Sequence, residues 1–174
     1  MIPPTRRAMT TEDNLKAAFA GESQANRKYL AFAKAAEREG LPQVARLFRA
    51  AAEAETVHAH AHLRVLKGVG KTLDNLKAAL EGEHYEFTEM YPKFLEEAKA
   101  EGNKAAERSF DYANQVERVH HELYEKALAA VKAGKDLPEA KVYVCEVCGY
   151  TVEGEPPDQC PVCKAKRDKF VEIA

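Results

Sequence analysis

No excess of one charge sign marks this 174-residue chain: 26 basic and 28 acidic side chains are interspersed, for a net charge of −2. No basic run or face stands out, which excludes the electrostatic footprint of nucleic-acid binding and implies no polyanionic partner. No apolar stretch approaches the roughly 20 residues that a bilayer span needs. The opening MIPPTRRAMTTED lacks the apolar centre of a secretory signal. A soluble, cytoplasmic protein without a membrane partner is therefore expected. Cysteine is missing from the long first part of the chain; all four stand at 145, 148, 160 and 163, as two Cys-x-x-Cys pairs. In a reducing compartment such pairs read as a metal site rather than as disulfides. What is plentiful is apolar material, 45% of residues, enough for one ordinary domain and a small second one.

From Thr10 to about Ala133 the chain is rich in Ala, Glu and Lys, with apolar positions recurring every three or four residues. That period predicts helices over roughly 11–39, 42–67, 73–101 and 103–133, each followed by a glycine (40, 68, 102, 134) placed to end it. Beyond them, KVYVCEVCGYTVEGEPPDQCPVCKAKRDKFVEI turns to β-branched residues, Pro, Gly and Cys. The expected domains are a helical one over 10–134 and a small β-rich one over 140–174.

The helical part repeats itself. EREGLPQVARLFRAAAEAETVH aligns with KAEGNKAAERSFDYANQVERVH at an offset of 62, pairing Phe48 with Phe110, Glu55 with Glu117 and His58 with His120. Upstream, Gly21-Glu22 aligns with Gly82-Glu83 at an offset of 61. Each half thus has one Glu on its first helix and Glu-x-x-His on its second.

These acids fall on the apolar stripes. The stripes run Leu15, Phe19, Glu22, Asn26, Tyr29; Phe48, Ala51, Glu55, His58, His62; Leu80, Glu83, Glu86, Met90; and Phe110, Ala113, Glu117, His120, Tyr124. Burying one unpaired carboxylate costs several kcal/mol, so five converging in a small core require compensating positive charge. A divalent metal pair supplies it, and Glu from two helices with Glu-x-x-His from two others is the ligand pattern of di-iron and di-manganese bundles. A lone Glu-x-x-His in so Glu-rich a sequence is usually solvated surface; two in register with a repeat, both on apolar stripes, are not. Glu86 is an extra acid, Ala25 standing in the equivalent place, so the two metal positions are inequivalent. Of the three alternating histidines in TVHAHAH, His58 shares the face of Glu55, His62 follows one turn on, and His60 points away.

The four cysteines suit a tetrahedral thiolate site that either zinc or iron accepts, and spacing alone does not choose. The knuckles CEVCGY and CPVCK resemble those of rubredoxin, except that Lys164 stands where a glycine is usual. A side chain there is strained if the backbone needs positive φ.

The whole constellation resembles rubrerythrin, through AFAGESQANRKY, AEAETVHA, GEHYEFTEMYP, QVERVHHEL, CEVCGY and CPVC, covering about 10–174. The resemblance implies a mainly α fold, a ferritin-like four-helix bundle followed by a rubredoxin-like domain. It implies two irons bridged by Glu55 and Glu117, with Glu83 and His120 completing one. Glu22 would complete the other, together with a ligand that exchanges between His58 and Glu86. A third iron would sit on Cys145, Cys148, Cys160 and Cys163, with zinc as a possible substitute. Tyr29 and Tyr91 match tyrosines that hydrogen-bond the site. Tyr29 faces it by helical geometry, whereas Tyr91 lies about 80° off Glu83 on a helical wheel; Pro92 is expected to redirect that helix. The implied activity is reduction of hydrogen peroxide to water, as oxidative-stress defence. Electrons would come from an external donor through the cysteine iron. Ferroxidase or oxidase activity, and a zinc-bound metal-buffering protein, are the alternatives.

In a ferritin-like bundle the second and third helices run parallel. Their connection here must recover roughly 27 Å of helix, while GVGKT reaches about 18 Å fully extended. A domain-swapped homodimer is therefore expected, one chain lending Glu22, Glu55 and His58 to a site whose Glu83, Glu86, Glu117 and His120 come from its partner. His120 and Gly134 stand about 21 Å apart along the fourth helix, so the cysteine site is expected far from His120 within one chain.

Overall fold

Thr10 opens the first helix with a reciprocal cap: its hydroxyl accepts from the Asp13 amide at 3.1 Å while the Asp13 carboxylate accepts from the Thr10 amide at 2.9 Å. In the computed structural model, which describes residues 10–173, α1 (Thr11–Arg38) is followed by α2 (Pro42–Val65), with Pro42 at the helix start where a missing amide is harmless. α3 (Thr72–Tyr85) passes through a single π-helical turn, Glu86–Met90, into α4 (Tyr91–Ala100). α5 (Lys104–Lys132) begins at Asn103, whose side chain accepts from the Ala106 amide. The expected third helix, 73–101, is thus interrupted. The end of α2 also differs from expectation: Lys67, not Gly68, takes the left-handed conformation at φ 55°. Gly68 keeps an ordinary φ, and a Cβ there would lie 2.3 Å from Leu63 Cδ1, so that flexible side chain would have to turn aside.

The chain divides into two units at the Gly70–Lys71 boundary. In the first, α1 and α2 form a hairpin zipped by small residues, with Ala33, Ala36 and Ala45 buried against Phe48. Asn26 is buried and clamps the pair, donating from Nδ2 to the Ala52 carbonyl at 2.7 Å and to Thr56 Oγ1 at 2.8 Å. In the second unit α3 and α4 pack on α5, burying Ala98, Val116, Ala127 and Leu128.

The second unit also holds a three-stranded antiparallel sheet, ordered β2-β1-β3. Its strands are β1 (Val142–Cys145), β2 (Thr151–Glu153) and β3 (Phe170–Ile173), and Cys145 pairs with Phe170. The fully buried side chains of this module are Cys145 and Cys160, at 1% and 0% exposure. A module this small, with thiols at its centre, depends on a metal staple rather than on an apolar core. Among the described residues no helix is long and apolar enough to cross a membrane.

Candidate metal centre

Three groups of His, Cys, Asp or Glu among the described residues bring one ligand atom each within 4.8 Å of one another: Glu22, Glu55 and His58; Glu83, Glu117 and His120; and the four cysteines. In the first unit, α1 supplies Glu22 and α2 supplies Glu55 and His58 one turn apart, with His58 Nδ1 2.9 Å from Glu55 Oε2. The Asn26 clamp holds the two helices together one turn beyond Glu22. In the second unit, α3 supplies Glu83 and α5 supplies Glu117 and His120, with His120 Nδ1 2.8 Å from Glu117 Oε2 and 3.9 Å from Glu83 Oε2. The two half-sites are near copies.

The repeat extends to the aromatic residues beside them. Tyr29, Phe32 and Phe48 form a ring cluster at 6.3, 6.3 and 5.6 Å, and Tyr91, Phe94 and Phe110 form its counterpart at 6.2, 6.3 and 5.5 Å. Tyr29 follows Glu22 by seven residues, but Tyr91 follows Glu83 by eight. The π turn at Glu86–Met90 takes up that extra residue. It redirects Tyr91, correcting the expectation that Pro92 does so; the proline simply begins α4. The signal was present in the sequence as the change of repeat offset from 61 to 62. Glu86 lies in this turn, outside the tight Glu83–Glu117–His120 group but close enough to feel Glu117 and His120.

Charge in this cluster is poorly balanced without a cation. Burial, the hydrogen bond with Glu117 and the repulsion of Glu117 push the Glu83 carboxyl up to about 7, against the attraction of His120. Burial also raises Glu86, with Glu117 adding to it, and raises Tyr91, with Glu117, Glu86 and Glu83 adding. Burial works against ionisation of Glu117 too, yet hydrogen bonds from His120 and Glu83 hold it below the usual range. The hydrogen bond to Glu117 raises His120, against its burial. Protons on Glu83 and His120 thus occupy the place of positive charge, and a divalent ion fits the donor set by displacing them.

In the cysteine module Cys145 and Cys163 approach to 3.6 Å between sulfurs, as do Cys148 and Cys160. That is far longer than the roughly 2.05 Å of a disulfide. It is close to the ~3.8 Å edge of a tetrahedron with metal–sulfur bonds near 2.3 Å. Burial pushes the Cys148 and Cys163 thiols upward, while backbone amides of Cys163 and Val162 outweigh burial at Cys160 and lower it. The two knuckles turn at Gly149, φ 86°, and Lys164, φ 64°, so the lysine does occupy a left-handed position. Iron, like zinc, fits four sulfurs so placed.

The module packs on α5 within its own chain, contrary to the expectation of a distant cysteine site. Thr151 Oγ1 lies 3.0 Å from His120 Nε2 and donates its own proton to the Gly149 carbonyl at 3.0 Å. Lys126 and Glu153 form an ion pair nearby. Residues 134–141 lack regular structure, and at about 3.3 Å per residue they can recover some 26 Å, which covers the distance from Gly134 back to His120. Thr151 is not legible as a site residue in the sequence, because a lone threonine carries no motif. His60 is exposed and lines a 220 Å³ cleft with Phe19, Asn26 and Glu55, and His62 is half-buried.

Two family profiles match the chain: one described as rubrerythrin over residues 13–128, and one described as the rubredoxin-like domain of rubrerythrin over 143–171. Rubrerythrin-2 of Clostridium acetobutylicum is 40% identical, covering 92% of this chain and 95% of the relative. Nigerythrin of Nitratidesulfovibrio vulgaris is 37% identical, covering 98% and 90%. The structure of nigerythrin in a mixed-valence state superposes with a TM-score of 0.54 at 35% identity, over 99% of this chain and 92% of the other. A di-iron carboxylate site and a rubredoxin-like four-cysteine site are the cofactor centres of that group; here each unit holds one carboxylate–histidine cluster, and the four cysteines are gathered in the second. With matches that span both its helical part and its cysteine module, this chain belongs to the rubrerythrin family.

Proposed function

We propose that the protein is a non-haem di-iron peroxidase that reduces hydrogen peroxide to water, with electrons entering through a four-cysteine iron. Its working parts are the helical domain over 10–134 and the cysteine domain over 140–174. Glu22, Glu55, His58, Glu83, Glu86, Glu117 and His120 would hold the di-iron pair, and Cys145, Cys148, Cys160 and Cys163 the single iron. The bound pair supplies two electrons, one per ferrous ion, which with two protons convert one peroxide into two water molecules. Around it the chain's own groups manage protons: Glu83 titrates near neutrality, and Tyr91 stays protonated beside Glu83, Glu86 and Glu117.

The observation that carries this reading is the hydrogen bond between His120 and Thr151. It ties the first cysteine knuckle directly to a carboxylate cluster. Ferroxidase chemistry takes its electrons from Fe²⁺ itself and needs no dedicated electron input, and metal buffering needs no such contact. The external donor is a reductase or a rubredoxin, and the setting is the cytoplasm. The working assembly is a homodimer in which the first helix pair of one chain completes the site of its partner.

The test is anaerobic reduction followed by separate additions of peroxide and of oxygen, watching the ferric four-thiolate absorption return. Fast return with peroxide and slow return with oxygen is expected. The reverse order would replace the peroxidase by an oxidase, and a colourless, zinc-filled cysteine site would remove electron transfer altogether.

A further inference from the structure

A hydroxyl has one proton to give. Thr151 gives its proton to the Gly149 carbonyl, which can only accept, so toward His120 the Thr151 oxygen can only accept in turn. His120 Nε2 must therefore carry hydrogen, and the lone pair of the neutral ring lies on Nδ1. That nitrogen faces Glu117 at 2.8 Å and Glu83 at 3.9 Å. The Gly149 carbonyl also hydrogen-bonds His120; without the Thr151 oxygen it alone would hold the proton on Nε2, and a proton on Nδ1 donated to Glu117 would close the position a metal must take.

We propose that Thr151 is a positioning residue, whose hydroxyl fixes the His120 tautomer so that Nδ1 is presented to the metal and the cysteine module buttresses this half-site. The proposal rests on His120 being a ligand. Partners of this kind orient ligating histidines, and losing one typically costs about 10–100-fold in metal affinity. His58, the repeat counterpart, hydrogen-bonds Glu55 and leaves its side chain 56% exposed. The anchored histidine and the looser one are thereby set apart by one threonine.

The test uses the full chain with zinc held at the cysteines. Cobalt(II) titration of the bundle site, read from its visible absorption, should show an affinity about tenfold lower for Thr151→Val and near wild type for Thr151→Ser. Nitrogen-15 spectra of histidine with zinc at the cysteines alone, taken at a pH where the ring is neutral, should show His120 protonated at Nε2 in wild type and in Thr151→Ser, and mixed in Thr151→Val. An unchanged four-thiolate absorption with cobalt at the cysteines controls for folding of the module. Unchanged cobalt affinity and tautomer in Thr151→Val, or failure of Thr151→Ser to restore them, would overturn the proposal while leaving His120 a ligand. A wild-type protein that binds no cobalt in the bundle would overturn both.

Discussion

The rings of Tyr91 and Phe110 lie 6.3 Å apart, the same separation as Tyr29 and Phe48 in the first helix pair, although Tyr91 has one residue more between it and its glutamate. The π turn reconciles the two demands: it lets Glu83 meet Glu117 while Tyr91 meets Phe110 on one side of the unit. Deleting Thr88 from the turn should restore α-helical spacing and force one of these contacts to break. The expected cost is about 3–5 kcal/mol, the scale for losing a large aromatic from its packing. Bundle-site metal should be lost while the cysteine metal is kept. A deletion variant with wild-type melting temperature and full metal content would show that the turn is incidental.

His58 and His60 stand two residues apart, but only His58 belongs to the Glu22–Glu55 group. Substituting His58→Ala should lower peroxide turnover at least tenfold, on the scale of losing a metal ligand or its support. His60→Ala should leave turnover within about twofold, as expected of a surface substitution. Steady-state peroxide assays on both variants decide it; equal impairment would mean that the cleft lined by His60 takes part.

Assembly is open to complementation. One chain carries Glu22→Ala and His58→Ala, and a second carries Glu83→Ala and His120→Ala; each alone should be inactive. In a domain-swapped heterodimer one of the two sites unites both intact halves, so mixed and refolded chains should recover up to about half of wild-type activity per heterodimer by simple counting of sites. If every site drew its ligands from a single chain, mixing would recover nothing.

The pH dependence of the metal-free protein follows from Glu83 and His120. The Glu83 carboxyl is raised from 4.5 to about 7, so the unfolded chain loses this proton first and stability falls as pH rises through that window. His120 is raised above 6.5, and its contribution, complete below 6.5, is also lost as pH rises through its folded value. Metal-free protein should therefore melt lower at pH 8 than at pH 5.5, whereas metal affinity should climb over the same range as the competing protons leave. Calorimetry with and without metal would expose a wrong sign directly, and Glu83→Gln should flatten the carboxylate part of the metal-free curve.

Lys164 holds a left-handed conformation, φ 64°, at the position where Gly149 turns the other knuckle. A left-handed non-glycine residue costs about 1–2 kcal/mol, and glycine returns part of that gain through its freer unfolded chain. Lys164→Gly should thus stabilise the cysteine module by about 0.5–1 kcal/mol, by the difference of those two effects. Slower metal release to a chelator would register it, and faster release would show that the lysine's bond to the Pro161 carbonyl matters more.

Much of the site was legible because it is written in local terms. Glu55 and His58, like Glu117 and His120, meet because residues three apart share a helix face. The cysteine pairs close because knuckle geometry is short-range. The interrupted third helix was misread because an inserted residue leaves no mark on composition; it appears only when the two halves are aligned and their offsets compared. The Lys67 left-handed turn was likewise hidden, since the glycine that marks the helix end stands one residue further on and keeps an ordinary φ.

The chain by itself determined which residues are chemical: carboxylates on apolar stripes, histidines one turn beyond them and four paired thiols, each the product of helical period or knuckle spacing. Tertiary structure alone decided where the cysteine module sits. An unstructured segment of eight residues, 134–141, permits many placements. The one adopted depends on Thr151 meeting His120 thirty-one positions away, a contact that no period encodes.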